Sequence, residues 1–70
     1  MPDHTIQVRI NHVPHDLPEG ATLADAIARV DIRPPFAAAV NLQFVPRHRY
    51  PQHLLQNADQ IELIAPITGG

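Results

Sequence analysis

Thr22-Leu23-Ala24-Asp25-Ala26-Ile27-Ala28-Arg29-Val30 is the stretch from which the fold can be read. Thr22 is a favoured N-cap, because its hydroxyl can accept a backbone N–H that the first helical turn leaves unpaired. Asp25 stands three residues on, in the place of the reciprocal capping-box partner, and its charge suits a helix N-terminus. Leu23, Ile27 and Val30 recur at helical spacing and form one apolar stripe. The spacing predicts a helix over Leu23–Val30 that stops before Pro34-Pro35, where the backbone cannot continue it. One short helix with one apolar stripe needs a surface to cover it, so the flanking segments decide the architecture.

Upstream, Thr5–Ile10 alternates polar and apolar residues and puts Ile6, Val8 and Ile10 on one face. That is the period of a half-buried strand. Asn11-His12 is a two-residue turn, a weak one without glycine. A second strand over Val13–Leu17 pairs back on the first, and Pro18-Glu19-Gly20 ends it with turn chemistry. Downstream, Ala37–Val40 reads as a short buried strand and Gln43–Val45 as another, joined around Asn41-Leu42. Pro46 confines the second to a sheet edge or a strand end. One helical turn is expected over Tyr50–Leu54. The last strand is Ile61–Ile64, after the polar corner Gln56-Asn57-Ala58-Asp59, and Pro66 should end its pairing near Ala65.

The order is therefore strand, strand, helix, strand, short strand, last strand. In so short a chain this is an α+β fold, a mixed sheet of four to five strands wrapped over one main helix. That arrangement is the ubiquitin-like β-grasp, in which the last strand lies centrally. The expected organisation is a β-grasp domain over residues 1–65 and a flexible tail over residues 66–70. Five extended residues reach at most about 17 Å, enough to enter a neighbour's cleft while the domain docks outside.

Composition narrows the function classes. Seventy residues allow one domain, near the lower limit for a self-supporting core, and 44% apolar residues suffice to build one. The chain has no cysteine, which excludes disulfide staples, thiol catalysis and thiolate metal sites. A net charge of -2 and only three aromatic residues, Phe36, Phe44 and Tyr50, argue against nucleic-acid binding. No segment reads as a signal peptide or a membrane span, and the expectation is a cytoplasmic protein with no membrane partner.

Gly69-Gly70 closes the chain. Without a Cβ on either residue, the backbone can approach a reactive centre closely. Terminal glycines also fray, so the pair by itself is compatible with a frayed end or a reactive one.

Val40-Asn41, Val45-Pro46-Arg47, Asp59-Gln60-Ile61-Glu62-Leu63 and Gly69-Gly70, in that order and spacing, resemble the ThiS family of sulfur carriers. The resemblance is specific over the C-terminal half and pattern-level over the N-terminal half. Where this family usually has glycine, the chain has Ala58, so that turn is expected to be built differently. The tail Ala65-Pro66-Ile67-Thr68-Gly69-Gly70 is more similar to that of MoaD, the carrier of molybdopterin synthesis. MoaD, however, has a shorter stretch from asparagine to aspartate and no Val-Pro-Arg element.

The resemblance implies a carrier that is itself a substrate and not an enzyme. Gly70 would supply the carboxylate that is adenylated and converted to a thiocarboxylate, and Gly69 the access for it. The implied partners are a ThiF-like adenylating enzyme, a sulfur donor (a cysteine desulfurase or sulfurtransferase) and a ThiG-like thiazole synthase. No cofactor would be bound, ATP being used by the activating partner. Carriers for molybdopterin or tRNA thiolation are the pathway variants, as is a ubiquitin-like modifier, though a chain without lysine is a poor chain-builder. A non-reacting β-grasp interaction domain is the alternative of another class.

The resemblance implies an activating enzyme that grips the apolar sheet face near the tail. In the last strand Ile61 and Leu63 are the expected core pair. That leaves Ile64 and Ile67 as docking candidates, with Phe44 and Arg47 as further ones. His12 and His15 resemble a ligand pair but lack a third ligand at recognisable spacing, so no metal site is expected. Asp25 and Asp31 flank the helix and Glu19 lies in a turn, which suits solvated faces better than acid catalysis.

Overall fold

The computed structural model describes residues 4–66. β1 (Thr5–Ile10) and β2 (Val13–Pro18) form an antiparallel hairpin with Ile10 opposite Val13. Its two-residue turn has φ of 51° at Asn11 and 72° at His12, the left-handed pair of a type I′ turn. Asparagine tolerates that region and stands in for the missing glycine. β2 runs one residue beyond the expected Leu17, because Pro18 still lies opposite Thr5 at the sheet edge, where a missing N–H is harmless.

α1 spans Leu23–Ile27 with the expected Thr22 N-cap, and Asp25, although shorter than the usual glutamate, closes the reciprocal capping box. Asp25 N–H donates to Thr22 Oγ1 at 3.3 Å, and Thr22 N–H donates to Asp25 Oδ2 at 2.9 Å. The helix is shorter than Leu23–Val30. Beyond Ile27 the chain tightens into bonds three residues back, from Arg29 N–H to the Ala26 carbonyl and from Val30 N–H to that of Ile27. Leu23 and Ala26 are buried against the sheet, and Ile27 and Val30 are half-buried.

β3 (Ala37–Val40) and β4 (Gln43–Val45) make a second hairpin, whose turn places Asn41 and Leu42 at φ of 52° and 70°. A 3-10 helix follows at Arg47–Gln52, starting three residues before the expected turn at Tyr50. Pro46 presets its φ, and its carbonyl accepts Arg49 N–H, so the turn begins directly after β4. β5 (Gln60–Ile64) pairs parallel with β1 and antiparallel with β3.

The sheet order is β2-β1-β5-β3-β4, which makes β5 the central strand of five. Together with the helix across one face, this is the ubiquitin-like β-grasp. Its core joins Val8, Ile10, Leu17, Leu23, Val40, Ile61 and Leu63, all buried. Among the described residues no helix is long and apolar enough to cross a membrane.

Candidate functional site

β5 carries the chain towards Gly69-Gly70, and its backbone is held at both ends by asparagine side chains. At its start, Asn41 N–H donates to the Gln60 carbonyl at 2.7 Å, and Gln60 N–H donates to Asn41 Oδ1 at 3.0 Å. Asn41 Nδ2 donates to Asp59 Oδ1 at 3.0 Å, while Asp59 Oδ2 accepts Gln56 N–H at 2.8 Å. Asp59 is only 8% exposed, so these bonds replace the water that its carboxylate has lost. Towards its end, Leu63 N–H donates to Asn11 Oδ1 at 2.9 Å, and Asn11 Nδ2 donates to the Leu63 carbonyl at 3.2 Å.

The corner before β5 is fastened to β1. Gln7 N–H donates to Asn57 Oδ1 at 2.9 Å, and Ala58 N–H donates to the Gln7 carbonyl at 2.7 Å. Ala58 adopts φ of 74°, the region that favours glycine. Alanine is held in the left-handed conformation by the bonds on either side of it.

Alternation along β5 turns Ile61 and Leu63 to the core and Glu62 and Ile64 to the outer sheet face. Ile64 is 59% exposed there and lies opposite Ala37. Phe44, 69% exposed, lies opposite Ala39, which in turn faces Glu62 across β3 and β5. Phe44, Ala39, Ala37 and Ile64 thus extend across three strands as an apolar surface with Glu62 within it. Arg47 follows β4 at the end of the sheet where β5 finishes, and shares a cleft with Pro34, Pro35, Phe36 and Tyr50. The Phe36 and Tyr50 rings stack there with centroids 6.1 Å apart. Of the candidate residues, Ile64, Phe44 and Arg47 gather towards this end, whereas Ile67, Gly69 and Gly70 lie outside the described residues. So does the expected tail beyond Pro66.

The histidines do not assemble. His12 borders a cleft with Leu42 and Glu62, and His15 a different one with Val30 and Asp31. Among the described residues no three His, Asp or Glu side chains are grouped to hold a metal ion.

From sequence, Asn11 and Asn41 are legible only as turn residues, and Asn41 and Asp59 only as part of the family motif, with no hydrogen-bond partner for any of them. Both asparagines stand at the first position of a glycine-free two-residue turn, and that coincidence was the available signal.

The ThiS family model matches residues 7–70. The chain is 36% identical over 66 residues to the sulfur carrier protein ThiS of Escherichia coli K12, covering 93% of this chain and 100% of that protein. The crystal structure of the thiamine biosynthesis protein ThiS from Geobacter metallireducens superposes with a TM-score of 0.73 over 93% of this chain and 100% of that one. At 14% identity that likeness speaks for the fold alone. With the family model matched over residues 7–70, the chain belongs to the ThiS family.

Proposed function

We propose that this protein is a sulfur carrier for assembly of the thiamin thiazole, with the Gly70 carboxylate as its reacting group. The observation that carries the reading is the family match extending through Gly70 itself. The E. coli relative, a sulfur carrier by name, supports it over its full length. Likeness to a solved ThiS structure supports the carrier fold.

A carboxylate is a poor electrophile and must be activated. In the proposed sequence a Gly70 oxygen attacks the α-phosphorus of ATP within a ThiF-like enzyme, and pyrophosphate leaves. A persulfide on the sulfur donor, loaded by a cysteine desulfurase or sulfurtransferase, attacks the acyl carbon and expels AMP. A thiol then reduces the resulting acyl disulfide and releases the thiocarboxylate, whose sulfur a ThiG-like synthase takes up. The domain brings the acyl group and the docking surface, and its partners bring the catalytic groups and ATP, a co-substrate that fits a cytoplasmic reaction. Gly69 lets the terminus enter a narrow cleft. Residues 66–70 serve as the inserted tail, and Ile64, Ile67, Phe44 and Arg47 as the docking surface.

Intact mass spectrometry after incubation with ATP, a ThiF-like enzyme and a persulfide donor tests the reading. One oxygen should be replaced by sulfur, localised to Gly70 by fragmentation. An unchanged mass with an enzyme proven active on its own carrier overturns it. Adding one residue after Gly70 should abolish the exchange, whereas a domain that merely binds would be indifferent.

A further inference from the structure

Leu63 lies where β5 loses its backbone neighbour on the β1 side. The parallel ladder ends at Ile10 opposite Ile61, because the chain turns away at Asn11-His12. Peptide groups along a strand point alternately to its two neighbours. In β5 the Ile61 carbonyl accepts from Asn11 N–H on the β1 side, whereas the Gln60 groups bond to Asn41 on the β3 side. Leu63 points to the β1 side, where β1 has no peptide left to offer.

The Asn11 carboxamide fills that place. It accepts from Leu63 N–H at 2.9 Å and donates to the Leu63 carbonyl at 3.2 Å. A carboxamide presents one acceptor and a donor pair much as a peptide does, so the ladder gains a rung beyond the end of β1. Turn chemistry also suits asparagine at φ of 51°, so it is the two bonds to Leu63, and not the residue type, that point to a further use of this side chain.

We propose that Asn11 is a positioning residue for activation of Gly70: by pairing both peptide groups of Leu63, it holds the β1 side of β5 one residue before Ile64, the last residue paired to β3, and so steadies the strand end from which the C-terminal segment leaves. This inference rests on the reading of Gly70 as the acyl group. A segment already confined at Leu63 loses less conformational freedom on entering the activating enzyme. The effect belongs to binding, because once the terminus is threaded the partner's own contacts hold it.

Two variants isolate the clamp. Asn11→Gly keeps the left-handed turn and removes the amide. Asn11→Asp keeps the turn and the acceptor for Leu63 N–H but has no donor for the Leu63 carbonyl, and carries the test if the glycine variant does not fold. Two readouts are needed: amide hydrogen exchange by NMR, and pyrophosphate release by a ThiF-like enzyme against carrier concentration, at a temperature where each variant is folded by circular dichroism. In Asn11→Gly the Leu63 amide should exchange faster while those of Glu62 and Ile64 stay protected through β3. KM for the carrier should rise about tenfold, the factor that one net hydrogen bond supplies, with kcat unchanged. Asn11→Asp should raise KM as well.

Wild-type exchange at Leu63, or faster exchange with a wild-type KM, overturns the role of Asn11. A fall in kcat at unchanged KM overturns it equally. If the wild-type chain itself elicits no pyrophosphate release, the reading of Gly70 fails and the positioning role falls with it. An active wild type with unaffected variants removes only the role of Asn11.

Discussion

Asn41 and Asp59 meet across 3.0 Å, the amide nitrogen of one donating to the carboxylate of the other, and so join the β3–β4 turn to the residue before the central strand. Asp59→Ala would leave Asn41 Nδ2 and Gln56 N–H without their acceptor. We expect a loss of about 2 kcal/mol, seen as a lower urea midpoint at unchanged slope. Asn41→Gly, which tolerates the positive φ, should lose less. The double variant should fall short of the sum by about 1 kcal/mol, and full additivity would show that the pair is not coupled.

Ala58 is the reverse case, a residue whose replacement should help. Its φ of 74° strains an L-residue by roughly 1–2 kcal/mol, while glycine loses about 0.5–1 kcal/mol more chain entropy on folding. Ala58→Gly is therefore expected to stabilise the domain by up to about 1.5 kcal/mol. A lower melting temperature would mean that the bonds around Ala58 do not hold the left-handed conformation in solution.

Leu23 sits fully buried where the helix meets the sheet. Leu23→Ala should remove roughly 3 kcal/mol. For 70 residues the whole stability is of order 4–10 kcal/mol, so a large share disappears. Thermal unfolding by circular dichroism would show this directly, and a shift no larger than that of Thr22→Ala, about 1 kcal/mol for the cap, would contradict the packing account.

Ile64 and Phe44 should separate stability from binding. Both are exposed on the outer sheet face, so Ile64→Asp and Phe44→Asp are expected to stay within about 0.5 kcal/mol of wild-type stability. If they anchor the activating enzyme, each should weaken binding at least about tenfold by calorimetry. Unchanged affinity for both would remove this face as the docking surface.

Much of the fold was legible because its signals are local. Alternation in Thr5–Ile10 chose the buried face, and the capping box at Thr22 and Asp25 set the start of the helix. Pro46 marked β4 as an edge or a strand end, and Pro66 stopped β5. Element ends were less legible. The helix gives way after Ile27 and the 3-10 turn begins at Arg47, since both ends answer to where the next segment must go.

By itself the sequence determined the order of strands and helix, the core parity of Ile61 and Leu63, and the motifs that mark the family. Tertiary structure alone decided what Asn11 and Asn41 do. Their side-chain partners stand 52 and 18 or 19 residues away, beyond the reach of any local pattern. It also decided that Ala58 takes glycine's conformation, because its own N–H bond to Gln7 and the Gln56–Asp59 bonds that span it outweigh its own preference. Local propensity is worth a kcal/mol or less per residue, and a few long-range hydrogen bonds of similar size, acting together, override it.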